Sequence, residues 1–255
     1  MAFAAAAARW FRERPEAPLY ALSAACWAAL ILHPQPSAGA GFCLGDDRLA
    51  GLTFAFGPAL AGVEWPGAIS HWLLMIGAMM LPMAGMAVRH VAFRSFRRRR
   101  ARATAAFLLG YSAVWLAVGP IYLAAGLAAH LASAGEVLVP LAAALAVAAA
   151  WQATAVKRRA LRQCHRTVPL APSGWPADRD CLAYGLAHGR CCLVACWALM
   201  LIPVAAGHHP LPMLLVGLLA LGERRTLAAE PVRSPADALG RVLALAPVLA
   251  LARRR

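Results

Sequence analysis

The chain has 255 residues, of which 62% are hydrophobic and only 14% charged, against about 25% charged residues in an ordinary soluble domain. Its net charge of +14 would suit a nucleic-acid binder. The arginines, however, stand in short runs beside long uncharged apolar stretches, a pattern that orients spans in a bilayer and meets anionic headgroups. Composition therefore excludes a soluble domain and argues against nucleic acid, and it predicts an all-α, polytopic membrane helix bundle.

The first apolar run, Ala17 to Leu32, follows Arg9, Arg12 and Arg14 and stops at His33-Pro34-Gln35-Pro36. At this length it reads as a short signal-anchor, with a cleaved signal peptide as the rival because Ala38-Gly39-Ala40 is an A-x-A-like site. A long loop to Gly67 precedes a span over Ala68 to Val88. The seven arginines between Arg89 and Arg102 mark a cytoplasmic loop. Spans over Thr104 to Ala129 and Val137 to Val156 follow, and then a second basic stretch from Lys157 to Arg179. Leu182 to Ala206 and Leu211 to Gly222 complete the set, joined by a turn at Gly207-His208-His209-Pro210. The loops on the other side carry one arginine, Arg48. This asymmetry predicts six spans with the N-terminus inside. The tail Ala236 to Ala252 reads either as a seventh span or as an interfacial helix ahead of Arg253-Arg254-Arg255. Three regions result: residues 1–67 with the first span and outer loop, a bundle over 68–225, and a C-terminal helix and basic tail over 226–255.

Lys157 is the only lysine, and alanine is abundant. Such a bias lowers the weight of Ala-rich runs and raises that of Met, Cys and His. Five of the eight methionines fall between residues 75 and 86. At about 100° per residue, Met75, Met79, Met83 and Met86 share roughly a third of a helix circumference with His71 and His90, while Met80 lies off that stripe. Pro82 is expected to open the backbone locally. Thioether and imidazole donors together prefer Cu(I) among common metals. The plain alternative is that methionine fills a helix interface.

On the fifth span His188, Cys192 and Cys196 recur every four residues and share one face, with Cys191 beside them and Met200 beyond. Ionisable groups at membrane depth point to function, although a neutral thiol also packs as a small hydrophobe. No Asp or Glu falls in the middle of a predicted span, which weakens a carboxylate mechanism and a hard-metal site. The chain has no Walker loop, HExxH, nucleophile elbow or dinucleotide fingerprint.

Three ordered segments carry a resemblance. They are His71-Trp72-Leu73-Leu74-Met75 leading to Ala78-Met79-Met80-Leu81-Pro82, then Gln152-x-Thr154-x-x-Lys157 with Leu161 and Cys164, then His188-Gly189-x-x-Cys192-x-x-x-Cys196-Trp197. Gly110-Tyr111, Trp115 and Glu223 with its following base, Arg224, fit the same order. Over roughly residues 65–225 the chain resembles a bacterial family of predicted metal-binding integral membrane proteins, sometimes labelled copper chaperones. The resemblance implies functional weight on Met79, Met80, Cys164, His188, Cys192 and Cys196. Two departures stand out: Ala160 breaks a C-x-x-x-C pair with Cys164, and Ala195 replaces a cysteine that often precedes the one matched by Cys196.

Residues and resemblance together predict binding, delivery or transport of a soft metal, Cu(I) first, with no catalytic residues. The expected ligands are His188, Cys192, Cys196, Met79, Met80, Met83, Met75, His71 and Cys164. The partners would be the lipid bilayer, the soft metal ion and a copper-accepting protein. A thiol-redox membrane protein and a metal-free assembly partner are the alternatives.

Overall fold

The computed structural model describes residues 13–32, 65–133, 137–226 and Gly240. The Ala38-Gly39-Ala40 site, Cys43, Arg48 and, Gly240 apart, the tail over residues 236–252 lie outside them. The described residues form helices, with no strand among them. In chain order these are α1 (Ala17–Leu32), α2 (Trp65–Arg94), α3 (Arg100–Ala132), α4 (Leu138–Gln152), α5 (Ala155–Cys164), α6 (Gly174–Ala205) and α7 (Pro210–Thr226). The fold is all-α.

Helices α2, α3 and α6 are each long and apolar enough to cross a membrane. Helices α4 and α5 meet at a 74° bend and together make a fourth candidate if they count as one broken span. The sequence suggests one span over residues 137–156. It breaks instead at Ala153-Thr154, where Thr154 adopts an extended backbone and its hydroxyl accepts the Lys157 N–H, starting a new helix. Helix α1 is apolar but short.

The most extensive packing joins α3 to α6, and glycine is the reason. Gly185 and Gly189 form a G-x-x-x-G pair on α6, and Gly110 faces them from α3. A Cβ on Gly185 would run into the Phe107 carbonyl, one on Gly110 would meet the Leu182 carbonyl, and one on Gly189 would lie 3.0 Å from the Tyr111 carbonyl. Small residues at this spacing let two backbones touch, the usual way apolar helices associate without a hydrophobic drive between them. The contact carries Tyr111 of α3 against the cysteine-bearing face of α6.

Helix α2 is not one regular helix. Residues Trp65–Met75 are α-helical, Ile76–Met80 widen into a π turn, Leu81–Ala84 tighten into a 3-10 turn, and Gly85–Arg94 resume the α-helix. The break follows from Pro82, which has no N–H for the carbonyl four residues earlier. That carbonyl belongs to Ala78, and α1 satisfies it: Ser23 Oγ donates at 2.8 Å and Trp27 Nε1 at 3.1 Å. Helix α1 is thus built into the bundle through the gap that the proline leaves.

Ion pairs hold one end of the bundle. Asp178 near the start of α6 binds Arg99 at 2.6 Å and Arg102 at 2.7 Å. The basic stretch after α2 and the first turns of α6 therefore share an end. Helix α6 starts eight residues before the predicted Leu182, because Asp178 and Asp180 are placed against partners rather than left in a loop.

Replacing Gly185 by Ala should separate α3 from α6 and destabilise the fold by about 1–3 kcal/mol, as overpacking of a tight contact does. At Gly217 an added Cβ would meet nothing within 4 Å, so this residue should accept Ala without loss. Thermal unfolding of the two variants in detergent tests the contrast; equal midpoints would remove the glycine contact as the organising feature.

Candidate metal centre

Breaking α2 rearranges the methionines. Periodicity at a constant angle places Met86 with Met75, Met79 and Met83, and Met80 away from them. In the structure Met75, Met79, Met80 and Met83 are all buried, whereas Met86 is 73% exposed. The π and 3-10 turns have different residues per turn from an α-helix, so the phase slips between Met79 and Met86. Met80 comes into the interior and Met86 leaves it. His90 also falls away from the group, with its Nε2 against the Val168 carbonyl at 2.9 Å.

The face of α6 is placed as its spacing suggests. His188, Cys192 and Cys196 are buried, and Cys191 is half-buried. Tyr111 bridges this face to α2: its hydroxyl donates to the Met80 carbonyl at 2.8 Å and lies 3.2 Å from Cys192 Sγ. Cys192 and Cys196 lie close enough for their thiols to interact. The aromatic rings of Phe107, Tyr111 and Tyr184 surround His188 at centroid distances of 5.8 to 6.0 Å.

The group that draws the centre together is Arg224, near the end of α7. It is buried, and its guanidinium donates to the Met83 carbonyl at 2.6 Å. The same group stands 3.4 Å from His188 Nε2 and 3.5 Å from Cys164 Sγ. One cation therefore touches the loosened segment of α2, the imidazole of α6 and the thiol of α5. Helix α5 is held to α7 from the other side by His165, whose ring nitrogens meet the carbonyls of Leu161 and Arg224, each at 2.9 Å.

A buried charge pair lies beside this cation. Lys157 Nζ and Glu223 Oε2 are 2.8 Å apart, and Gln152 Nε2 donates to Glu223 Oε1 at 2.5 Å. The sequence reading takes Lys157 and Glu223 as loop charges beyond the ends of spans. Both are buried, because the bend between α4 and α5 folds Lys157 back onto α7. A usable signal was the lone lysine of an arginine-rich chain, since lysine's compact point charge suits a single buried carboxylate.

The sequence also leaves Cys164 without its expected C-x-x-x-C partner, as Ala160 stands there. In the structure the half-buried Cys191 of α6 stands against α5, with the Oε1 of Gln163, next to Cys164 in the chain, 3.6 Å from its sulfur.

His71 lies elsewhere. Its ring meets that of His208 edge-on, 4.8 Å between centroids. His208 sits in the turn between α6 and α7, and burial, with His71 beside it, pushes its pKa down to about 4, so this imidazole is neutral at pH 7.

The predicted residues therefore divide. Cys164, His188, Cys192 and Cys196 converge with the backbone of Met80 and Met83. Met75 and Met79 are buried along α2, and His71 pairs with His208. Among the described residues, no group of three or more His, Cys, Asp or Glu side chains already stands in a metal-holding arrangement. Arg224 lies between donors of different helices, so several of them face a cation rather than a common vacant point.

The PpoB2 family model, described as "Copper chaperone", matches residues 69–250. The chain belongs to this copper chaperone family. The match covers His71, the methionines of α2, Cys164, the face of α6 and Arg224, and it leaves α1 outside. No curated protein and no solved structure matches the chain. Family membership assigns a copper-related role. Thiol and imidazole side chains, the donor types that soft metals favour, are the ones brought around Arg224.

Lys157→Met should destabilise the protein by about 3–5 kcal/mol, because it leaves the buried Glu223 without its cation. The double variant Lys157→Met with Glu223→Gln should recover at least half of that loss. A double-mutant cycle by chemical denaturation in detergent measures the coupling, and additive losses would show that the pair is not a unit.

Proposed function

We propose that this copper chaperone family member is a multi-pass protein of the bacterial inner membrane that binds Cu(I) inside its helix bundle and delivers it to a copper-accepting protein. The observation that supports this most directly is the buried convergence of Cys192, Cys196, Cys164 and His188 beside the loosened α2 backbone. Sulfur and imidazole are soft donors, and the carboxylate nearest to them, Glu223, is already neutralised by Lys157, which disfavours hard cations.

Cys192 and Cys196 are the primary ligands in this reading, with His188 completing a low-coordinate site and Met79 or Met83 as exchange ligands from α2. Copper is cargo, and its binding requires thiolates. Two thiolates with one Cu(I) leave one negative charge, and the Arg224 guanidinium offsets it. Arg224 thus prepares the apolar interior for an ionised site and also occupies space between the donors until metal arrives. Its shift away from Cys164 and His188 on loading would link occupancy to α7.

The same reading carries six spans, N-terminus inside. It is supported by the arginine-rich stretch over residues 89–102 and by the Asp178 ion pairs, which put the start of α6 at that same end. Helix α1 belongs to this arrangement as a retained helix, because Ser23 and Trp27 occupy the carbonyl that Pro82 leaves free.

Cys192→Ser/Cys196→Ser should lose tight Cu(I) binding, since a hydroxyl is a hard, poorly ionised substitute. Met79→Leu should weaken binding and leave the fold intact, as that swap nearly conserves volume. Titration of detergent-purified protein with Cu(I) against a chromogenic chelator reads both effects. Undiminished binding by the double serine variant would assign these cysteines to packing.

For the topology, single reporter cysteines at residues 100 and 208 should label from opposite faces of the membrane, residue 100 from the cytoplasm. Extracytoplasmic labelling at residue 100 would end the orientation proposed here.

A further inference from the structure

We propose that His71 and His208 form a second Cu(I) site, a two-imidazole station at the end of the bundle away from the thiol cluster. The inference rests on the reading of the chain as a Cu(I) carrier and adds the place where the ion is first held or last released.

Three independent features point to this pair. Both ring nitrogens of His71 are buried and, among the described residues, have no hydrogen-bond partner. Buried polar atoms are almost always satisfied, so an imidazole orphaned at both nitrogens calls for a ligand. His208 presents its ring to His71 at 4.8 Å with the planes 77° apart. Its backbone sits in the left-handed region at φ 58, directly after Gly207 at φ 61. A non-glycine residue there is uncommon, and such conformations gather at ligand sites. The turn is held by the His208 N–H donating to the Pro203 carbonyl at 2.7 Å, so the backbone that carries the His208 ring is fixed beside His71.

The donor chemistry selects the ion. Imidazole suits copper and zinc, but zinc asks for four tetrahedral ligands. Two nitrogens on a common ion suit the linear coordination that Cu(I) accepts. Metal–imidazole bonds of about 2 Å place such nitrogens about 4 Å apart, within reach of two rings this close after rotation of their side chains. His209 adjoins the pair in an exposed position, with its Nδ1 taking the Leu211 N–H at 3.4 Å, which leaves Nε2 as a donor facing an incoming carrier.

The position along α2 supplies the connection. Met75 lies one turn beyond His71 and Met79 one turn beyond that, both buried. Met83, whose carbonyl meets Arg224, lies about 18 Å from His71 at 1.5 Å per residue. Thioethers thus occupy the steps between the imidazole pair and the thiols, and each step is one ligand exchange with no change in oxidation state.

The experiment uses the full-length protein in detergent under anaerobic conditions, with Cu(I) itself as the probe. His71 and His208 are carbethoxylated with and without one to three equivalents of Cu(I), and modification is read residue by residue by mass spectrometry. Protection of both histidines by Cu(I) in the wild-type chain, together with the loss of one equivalent in His71→Asn/His208→Asn, is the expected result. Asparagine tolerates the left-handed turn, so this variant removes ligands without remaking the backbone. X-ray absorption of the Cys192→Ser/Cys196→Ser protein loaded with one equivalent should show nitrogen neighbours. Unprotected histidines in the wild-type chain, or full stoichiometry in the histidine variant, would overturn the second site and leave the thiol site standing. Protected histidines in a chain whose Cu(I) stoichiometry does not depend on Cys192 and Cys196 would instead support this site and overturn the thiol assignment.

Discussion

Pro82 has no backbone N–H, and the interior of this protein is arranged around that deficit. A regular α2 would satisfy its own backbone and present a smooth apolar wall. With the π and 3-10 turns in place, three carbonyls of this segment accept from other helices instead. Ala78 accepts from Ser23 and Trp27 of α1, Met80 from Tyr111 of α3, and Met83 from Arg224 of α7. Each of these bonds is worth more where water is scarce, because the alternative is a bare buried carbonyl. One missing hydrogen thereby fixes the positions of three neighbouring helices relative to α2, and it brings Met80 inward.

Two of those partners, Tyr111 and Arg224, also touch the soft donors. Tyr111 reaches Cys192 only because glycines let α3 and α6 lie backbone to backbone. Arg224 reaches Cys164 and His188 only because α5 and α7 are tied by His165 and by the Lys157–Glu223 pair. Buried charges are costly in an apolar surrounding and are kept where they serve specificity or function. Here the guanidinium supplies the positive charge that ionised thiols need, while the adjacent carboxylate is cancelled by its own lysine. The result is an interior whose uncommitted charge is positive and whose uncommitted donors are soft, a combination suited to a monovalent soft ion bound by thiolates.

The copper-related role and the geometry also fit in their extent. The family match runs from residue 69 to residue 250 and so takes in both the donors and the charges that prepare them. The chain departs from the resemblance at residue 160 of α5, where Ala160 stands, and Cys191 of α6 lies against the same helix through Gln163.

The sequence by itself determined the helical class, the clustering of basic residues, the shared face of His188, Cys192 and Cys196, and the concentration of methionine in one segment. These are legible because they depend on composition and on a constant helical period, both local properties of the chain. Helical periodicity put Met86 on the interior stripe and Met80 off it, although the resemblance gave weight to Met80, because a constant period cannot follow a helix through a π turn and a 3-10 turn. The sequence reading takes Lys157, Glu223 and Arg224 as charges flanking spans and as places in the family order without pairing them, because partners dozens of residues apart along the chain leave no mark in any local window. The pairing of His71 with His208 belongs to the same class. Which donors meet was decided by tertiary structure alone, since it depends on a proline's missing N–H, on glycine contacts between α3 and α6, and on a bend at Thr154 that act together only in the folded bundle.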